Sequence, residues 1–139
     1  MQVEIQLTRQ RIGVSRFRSS GLLAEQGAEV EFCGLVRGQE NGMAIAALEY
    51  EAYSPMAERE MRRIIEDIGR RHRCLLVRVI HRIGVVPVGE AAICVDIAAR
   101  HRAEAFAMLA EFMDRLKQDV PIWKRQPLTA DALAELKAK

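Results

Sequence analysis

Pro121 constrains this chain more than any other single residue, because it sits inside Leu116-Lys117-Gln118-Asp119-Val120-Pro121-Ile122-Trp123-Lys124-Arg125 and no helix can run through it. Upstream, Phe106, Leu109, Met113 and Leu116 recur at helical spacing, which predicts an amphipathic helix whose last turn carries Lys117. Lys124 lies beyond the break. Run out straight, the intervening chain would hold the two lysines about 23 Å apart, so they can serve one site only if the chain folds back at the proline. Fold-back is therefore the first expectation. Two ammonium groups brought close repel, which favours a lysine able to trade a proton or attack an electrophile. The plainer alternative is that Lys117 complements the helix C-terminal dipole and Lys124 is an ordinary surface charge.

The rest of the chain alternates strand and helix signals. Val3, Ile5 and Leu7 alternate with polar residues in an opening strand, and the arginine-bearing stretch from Arg9 to Ser20 reads as a loop or short helix leading into Gly21-Leu22-Leu23-Ala24. Strand character resumes at Glu29–Arg37, and Asn41-Gly42 supplies a turn signal into Ile45–Tyr53, which predicts a β-hairpin with Arg37 at the end of its first strand. Ser54-Pro55 reads as N-cap and first helical residue, followed by a buried stripe of Ala57, Met61, Ile64, Ile65 and Ile68. Leu75–Ile80 is a further strand ending at His81-Arg82-Ile83-Gly84, Val85–Glu90 a connection, and Ala92–Ala98 a strand apolar enough to be buried on both faces. Thr129 opens a short final helix with Leu133 and Leu136 on one face. The class is α+β: a mixed or antiparallel sheet with two main helices packed on it.

With 139 residues, half of them hydrophobic, the chain suits one domain, and its formal charge of +2 is too small to imply nucleic acid. No run approaches the roughly 20 apolar residues of a membrane span, so a soluble, cytoplasmic protein is expected. Cys33, Cys74 and Cys94 lack CxxC spacing and sit among apolar residues, which points to reduced core thiols, and His72, His81 and His101 have no close ligating companion, so no metal site is expected. Tyr50 and Tyr53 read as packing residues and His81 as a residue holding its turn. Arg37, His101, Arg102, Lys117 and Lys124 remain, all at ends of expected elements. His101 and Arg102 precede a helix whose free N–H groups favour an anion. Such a set suits an anionic substrate with acid/base assistance.

Six ordered runs carry a resemblance. Phe32–Arg37, Leu48–Tyr53 with Met56-Ala57, His81–Gly84 followed by Gly89-Glu90, His101–Phe106, Asp114–Lys117 and Pro121–Arg125 resemble the large, catalytic subunit of molybdopterin synthase, over roughly residues 28 to 126. The resemblance implies an α/β hammerhead-type fold and a homodimer within a heterotetramer, each large subunit holding a ubiquitin-like small subunit. It implies transfer of sulfur from the small subunit's C-terminal thiocarboxylate to cyclic pyranopterin monophosphate, forming the molybdopterin dithiolene without a cofactor or metal. Carried over residue by residue, the substrate-binding set is Leu35, Val36, Arg37, His101, Arg102, Lys117, Lys124, Arg125 and Gln126. Arg37, His101 and Arg102 would hold phosphate and pterin, while Lys117 and Lys124 would be catalytic, flanking the thiocarboxylate. Gln126 departs from the pattern, standing where the family commonly has glutamate, which leaves the charge partner of Lys124 or Arg125 to be found. A second function remains open: a non-catalytic module that binds a ubiquitin-like tail or anionic ligand in the same basic pocket.

Overall fold

The computed structural model describes residues 1–13 and 24–139, so most of the arginine-bearing stretch and its continuation to Leu23 lie outside the described residues. In order, the elements are β1 (Gln2–Thr8), β2 (Ala28–Leu35), β3 (Gln39–Glu40), β4 (Met43–Ala44), β5 (Ala47–Ala52), α1 (Met56–Gly69), β6 (Leu76–Arg82), β7 (Gly84–Pro87), β8 (Ala91–Ala99), α2 (Arg102–Asp119), β9 (Ile122–Leu128) and α3 (Ala130–Ala138).

The main sheet has the order β1-β6-β8-β2. β1 runs parallel to β6, and the other pairings are antiparallel, so the sheet is mixed. β8 occupies an interior position, and every residue from Ala92 to Ala99 is buried, as its apolar run requires. Helices α1 and α2 cover one face. The five apolar residues expected from the α1 pattern, Ala57, Met61, Ile64, Ile65 and Ile68, are its buried residues, and they join Val77, Val79, Val95, Ile97, Met108 and Phe112 in the larger core. A second sheet, order β7-β5-β9, encloses a smaller core of Val36, Ile45, Leu48, Val86 and Ala92, with Tyr50 packed against it.

Several expectations change. The strands flanking Asn41-Gly42 do not form one long hairpin: β2 pairs with β8 and β5 pairs with β7 and β9. The turn signal closes only the short β3–β4 ribbon, with Asn41 and Gly42 at φ 51° and 79°, the left-handed pair such a tight hairpin demands. The Val85–Glu90 connection contributes β7, because Val86 can bury itself against Leu48 only as an edge strand beside β5. Pro55, rather than Ser54, stands at the α1 N-cap, and the Ser54 hydroxyl donates to the Glu58 carboxylate at 2.8 Å instead of accepting a backbone N–H. Thr129 does cap α3, accepting from the Ala132 N–H at 3.2 Å.

On α2 the buried residues are Ala105, Met108, Phe112 and Leu116. Phe106 is 56% exposed, and Leu109 and Met113 are half-buried. Two adjacent stripes satisfy the same helical period, and the sheet takes the one that includes Phe112. Of the cysteines, Cys74 and Cys94 are buried but Cys33 is exposed, because it lies on the face of edge strand β2 away from the helices, 2.8 Å from the Cys94 sulfur across the strand pair. Tyr53 is likewise 61% exposed and does not pack.

Phe112→Ala tests the larger core directly. It should cost about 3–5 kcal/mol, the scale for emptying a fully buried aromatic site, read as a lowered urea midpoint with little change in slope.

Candidate active site

The chain does fold back at the proline. α2 ends at Asp119, Val120 packs into the larger core, and β9 returns antiparallel to β5, with Ile122 opposite Ala52 and Lys124 opposite Tyr50. The Tyr53 N–H donates to the Pro121 carbonyl at 2.9 Å and locks the corner. A strand over Ile122–Leu128 is not legible from the local pattern, since five consecutive residues, Trp123 to Pro127, are exposed and none marks a buried face.

The return places Lys117 and Lys124 on one cavity of about 540 Å³. Its walls come from both sheets and the end of α2: Phe32, Leu35, Ile93, Met113, Ile122 and Trp123 supply apolar surface, and Tyr50 and His81 supply polar groups. Lys124 lies 3.4 Å from the Glu40 carboxylate on β3, so a counter-charge holds it on the strand. Lys117 makes no ion pair among the described residues. The Tyr50 ring meets the His81 ring edge-on, centroids 5.4 Å apart. Burial, and secondly the nearby Glu40 charge, push the Tyr50 phenol above its ordinary value, so it stays protonated. Burial also holds His81 below the usual histidine range, although the hydrogen bond from its ring to the Arg82 carbonyl pulls the other way.

Not every expected residue reaches this cavity. Leu35 lines it, but the adjacent Val36 points into the smaller core and is 3% exposed. Arg37 lines a separate hollow with Gly38, Gln39, Asn41 and Gly42. His101 caps α2 and faces a third hollow rimmed by Arg70, Arg71, Arg73 and Arg100, while Arg102 is the exposed first residue of the helix. Fifteen residues of helix separate Arg102 from Lys117, about 22 Å of axial rise, so one copy of the chain keeps them apart. Arg125 and Gln126 lie along exposed β9, where Arg125 pairs with Glu51 at 3.0 Å and Gln126 donates to Glu49 at 2.8 Å. The partners that the missing glutamate left open are therefore Glu40 for Lys124 and Glu51 for Arg125. Sequence reasoning missed Tyr50 and His81 as parts of the cavity and Glu40 as the counter-charge of Lys124. Only the alternation of β5 and β6 hinted that Tyr50 and His81 face inward.

An α+β protein that presents two lysines over an apolar chamber between two sheets is built to take an anionic group out of water. Residues 7–119 match the family described as MoaE protein, and the chain belongs to that family. The match takes in residues 7–27, which the motif resemblance leaves out, and stops short of Lys124. A human protein named molybdopterin synthase catalytic subunit is 37% identical over 122 residues, 88% of this chain and 65% of that one. The same name belongs to a Staphylococcus carnosus protein 34% identical over 123 residues, 88% of this chain and 82% of that one. The solved structure of molybdopterin synthase from Staphylococcus aureus superposes with a TM-score of 0.80 at 31% identity, over 90% of each chain. The chain spans just under two thirds of the human relative's length.

Gln126→Glu would restore the family's residue but set two carboxylates opposite each other, because Gln126 and Glu49 are register partners. It should lower stability by up to about 1 kcal/mol, read from urea unfolding, with Arg125 at 3.8 Å from Glu49 absorbing part of the repulsion.

Proposed function

We propose that this chain is the large, catalytic subunit of a molybdopterin synthase. It transfers sulfur from the C-terminal thiocarboxylate of a ubiquitin-like small subunit to cyclic pyranopterin monophosphate, forming the molybdopterin dithiolene. The observation that carries this reading is the convergence of Lys117 and Lys124, from either side of Pro121, on one apolar-walled cavity in a chain of the MoaE family. Among the described residues no helix is long and apolar enough to cross a membrane. The cytoplasm is the compartment this reading calls for, because its reducing conditions protect thiol chemistry.

The chemistry follows from charge. A thiocarboxylate is already a nucleophile, so the site needs to steady its negative charge, give a proton to the oxygen that departs as the cyclic phosphate opens, and keep bulk water away. Ammonium groups over apolar walls supply the first two functions, and Phe32, Ile93 and Met113 supply the third. Lys117, on the last turn of α2 and anchored by Leu116 in the core, takes the acid/base role. Lys124, tied to Glu40 on its strand, orients the tail carbonyl. The extended tail of the small subunit enters a groove that ends at this pair.

The phosphate and pterin fall to Arg37, His101 and Arg102, with the α2 N-terminus adding its free N–H groups. Since about 22 Å of helix separates Arg102 from Lys117 in one copy, a homodimer is the arrangement under which the phosphate set of one copy serves the lysine pair of another. Leu35, Arg125 and Gln126 border the path of the tail, and Val36 acts from beneath by holding Leu35 and Arg37 in place.

Mixing the protein with a thiocarboxylated small subunit and cyclic pyranopterin monophosphate should yield dithiolene product, whereas a module that only binds would yield none. Lys117→Ala should slow the chemical step by about 100-fold or more, with partner binding little changed. Lys117→Arg should not rescue it, because a guanidinium keeps its charge but does not give up a proton near neutral pH. Substantial rescue by arginine would reduce Lys117 to a fixed charge. Arg102→Ala should weaken substrate binding rather than the chemical step, by roughly 1.5–3 kcal/mol for a lost charge-assisted hydrogen bond. An unchanged substrate affinity would remove Arg102 from the phosphate site.

A further inference from the structure

The cavity contains one side chain that the sulfur-transfer scheme leaves idle. His81 belongs to β6, where its register partners are Leu7 on β1 and Ile93 on β8, both apolar. The residue is 5% exposed and forms part of the cavity wall with Lys117 and Lys124. Its Nδ1 lies 2.8 Å from the Arg82 carbonyl oxygen. A carbonyl only accepts, so Nδ1 carries the hydrogen and the neutral ring keeps its lone pair on Nε2. Nε2 has no hydrogen-bond partner among the described residues. The ring cannot easily turn away, because Tyr50 meets it edge-on and Arg82 is itself anchored to Glu90 at 2.7 Å.

The transfer reaction requires such a group. Once the thiocarboxylate sulfur has bonded to the pterin carbon, the small subunit's tail is joined to the substrate as a thioester. Release needs water to attack the acyl carbon, with loss of a proton from that water. A lysine brings donors and no acceptor for as long as it stays an ammonium, and the Tyr50 phenol stays protonated, so His81 is the wall residue that offers a lone pair at the outset. We propose that His81 is a catalytic base of this site, its Nε2 taking the proton from the water that hydrolyses the thioester. The water oxygen bonds to the acyl carbon, the C–S bond breaks, and its electron pair leaves on the pterin sulfur as a thiolate. The new carboxyl group loses the water's second proton to solvent, so the tail departs as a carboxylate, and the first proton passes from Nε2 to solvent. This assignment rests on the sulfur-transfer reading of the same cavity.

Burial, the largest influence on His81, keeps the ring neutral to lower pH than a free histidine. The charged and titratable groups that share its cavity are Tyr50 on β5, Lys117 on α2 and Lys124 on β9 with its partner Glu40. Apart from Glu40 these offer no negative charge that would favour imidazolium. The acid limb of acyl release should therefore fall below the ordinary histidine value of about 6.5.

His81→Asn separates the base from a structural role, since the asparagine amide can still donate to the Arg82 carbonyl but offers no basic nitrogen. In single turnover with thiocarboxylated small subunit and cyclic pyranopterin monophosphate, the variant should still form the first carbon–sulfur bond. Acyl release should slow by about 100-fold or more, and the covalent tail–pterin adduct should accumulate, visible by mass spectrometry. The acid limb seen in the wild-type rate should also disappear. His81→Gln, which loses the bond to Arg82 but keeps the side chain's bulk, provides the same reading if the asparagine variant does not fold. An active wild type whose folded His81 variant releases the acyl group at the same rate, with no adduct and an unchanged pH profile, overturns the base assignment alone. A wild type that makes no dithiolene overturns the sulfur-transfer reading, and the role of His81 falls with it.

Discussion

The antiparallel ladder between β5 and β9 holds the functional half of this molecule in place. Without it, the chain leaving α2 at Asp119 would have no reason to return, and Lys124 would lie wherever the linker took it. With it, Tyr53 grips the Pro121 carbonyl, Ile122 stands opposite Ala52, and Lys124 stands opposite Tyr50. Because Val120 and Leu116 are committed to the larger core and Leu48 to the smaller one, the ladder also joins the two packing units. The cavity is the gap left where those units meet. Its walls are apolar because they are the margins of two hydrophobic cores.

The charges around that gap follow a consistent arrangement. β9 is lined with cations, and β3 and β5 return carboxylates to them: Glu40 to Lys124, Glu49 and Glu51 to Arg125. Exposed pairs of this kind add little to stability. Their effect is positional, since a long side chain held by a counter-charge samples fewer rotamers over the cavity mouth. Lys117 differs in having no such partner among the described residues, which leaves its ammonium available to a ligand. His81 is opposite in kind, a neutral acceptor whose tautomer is set by a backbone carbonyl.

Helix α2 shows how a sound local reading can catch only one edge of the buried face: Leu116 is buried and Leu109 and Met113 pack against the core, but Phe106 is exposed. Phe106, Leu109, Met113 and Leu116 obey the helical period, and so do Ala105, Met108, Phe112 and Leu116. Periodicity states that one stripe is buried but does not say against what. Phe112 goes inward because the sheet presents Val95 and Ile97 there, which leaves Phe106, Leu109 and Met113 to form a shallow apolar groove with Phe32 that runs up to Lys117. The hairpin reading failed for a related reason. Asn41-Gly42 demands a tight turn but not long strands, and the partners of β2 and β5 lie far away in sequence.

What the sequence determined by itself was local: the burial of β8, the five-residue stripe of α1, the Asn41-Gly42 turn, the Thr129 cap, and the end of α2 before Pro121. Each depends on backbone geometry or on a side-chain period contained within a few residues, and no distant partner is needed to read it. The cationic candidates were legible as residue types at element ends, and the family's motifs named them. Only the tertiary structure decided which of them meet. Lys117 and Lys124 converge because a ladder of long sequence separation closes over them, whereas His101 and Arg102 do not join them because a rigid helix holds its two ends apart, and Arg37, past the end of β2, lines a separate hollow beside the β3–β4 turn. The same long-range packing turned His81 and Tyr50 from ordinary strand residues into walls of the site, since a residue's face becomes functional only when another part of the chain arrives opposite it.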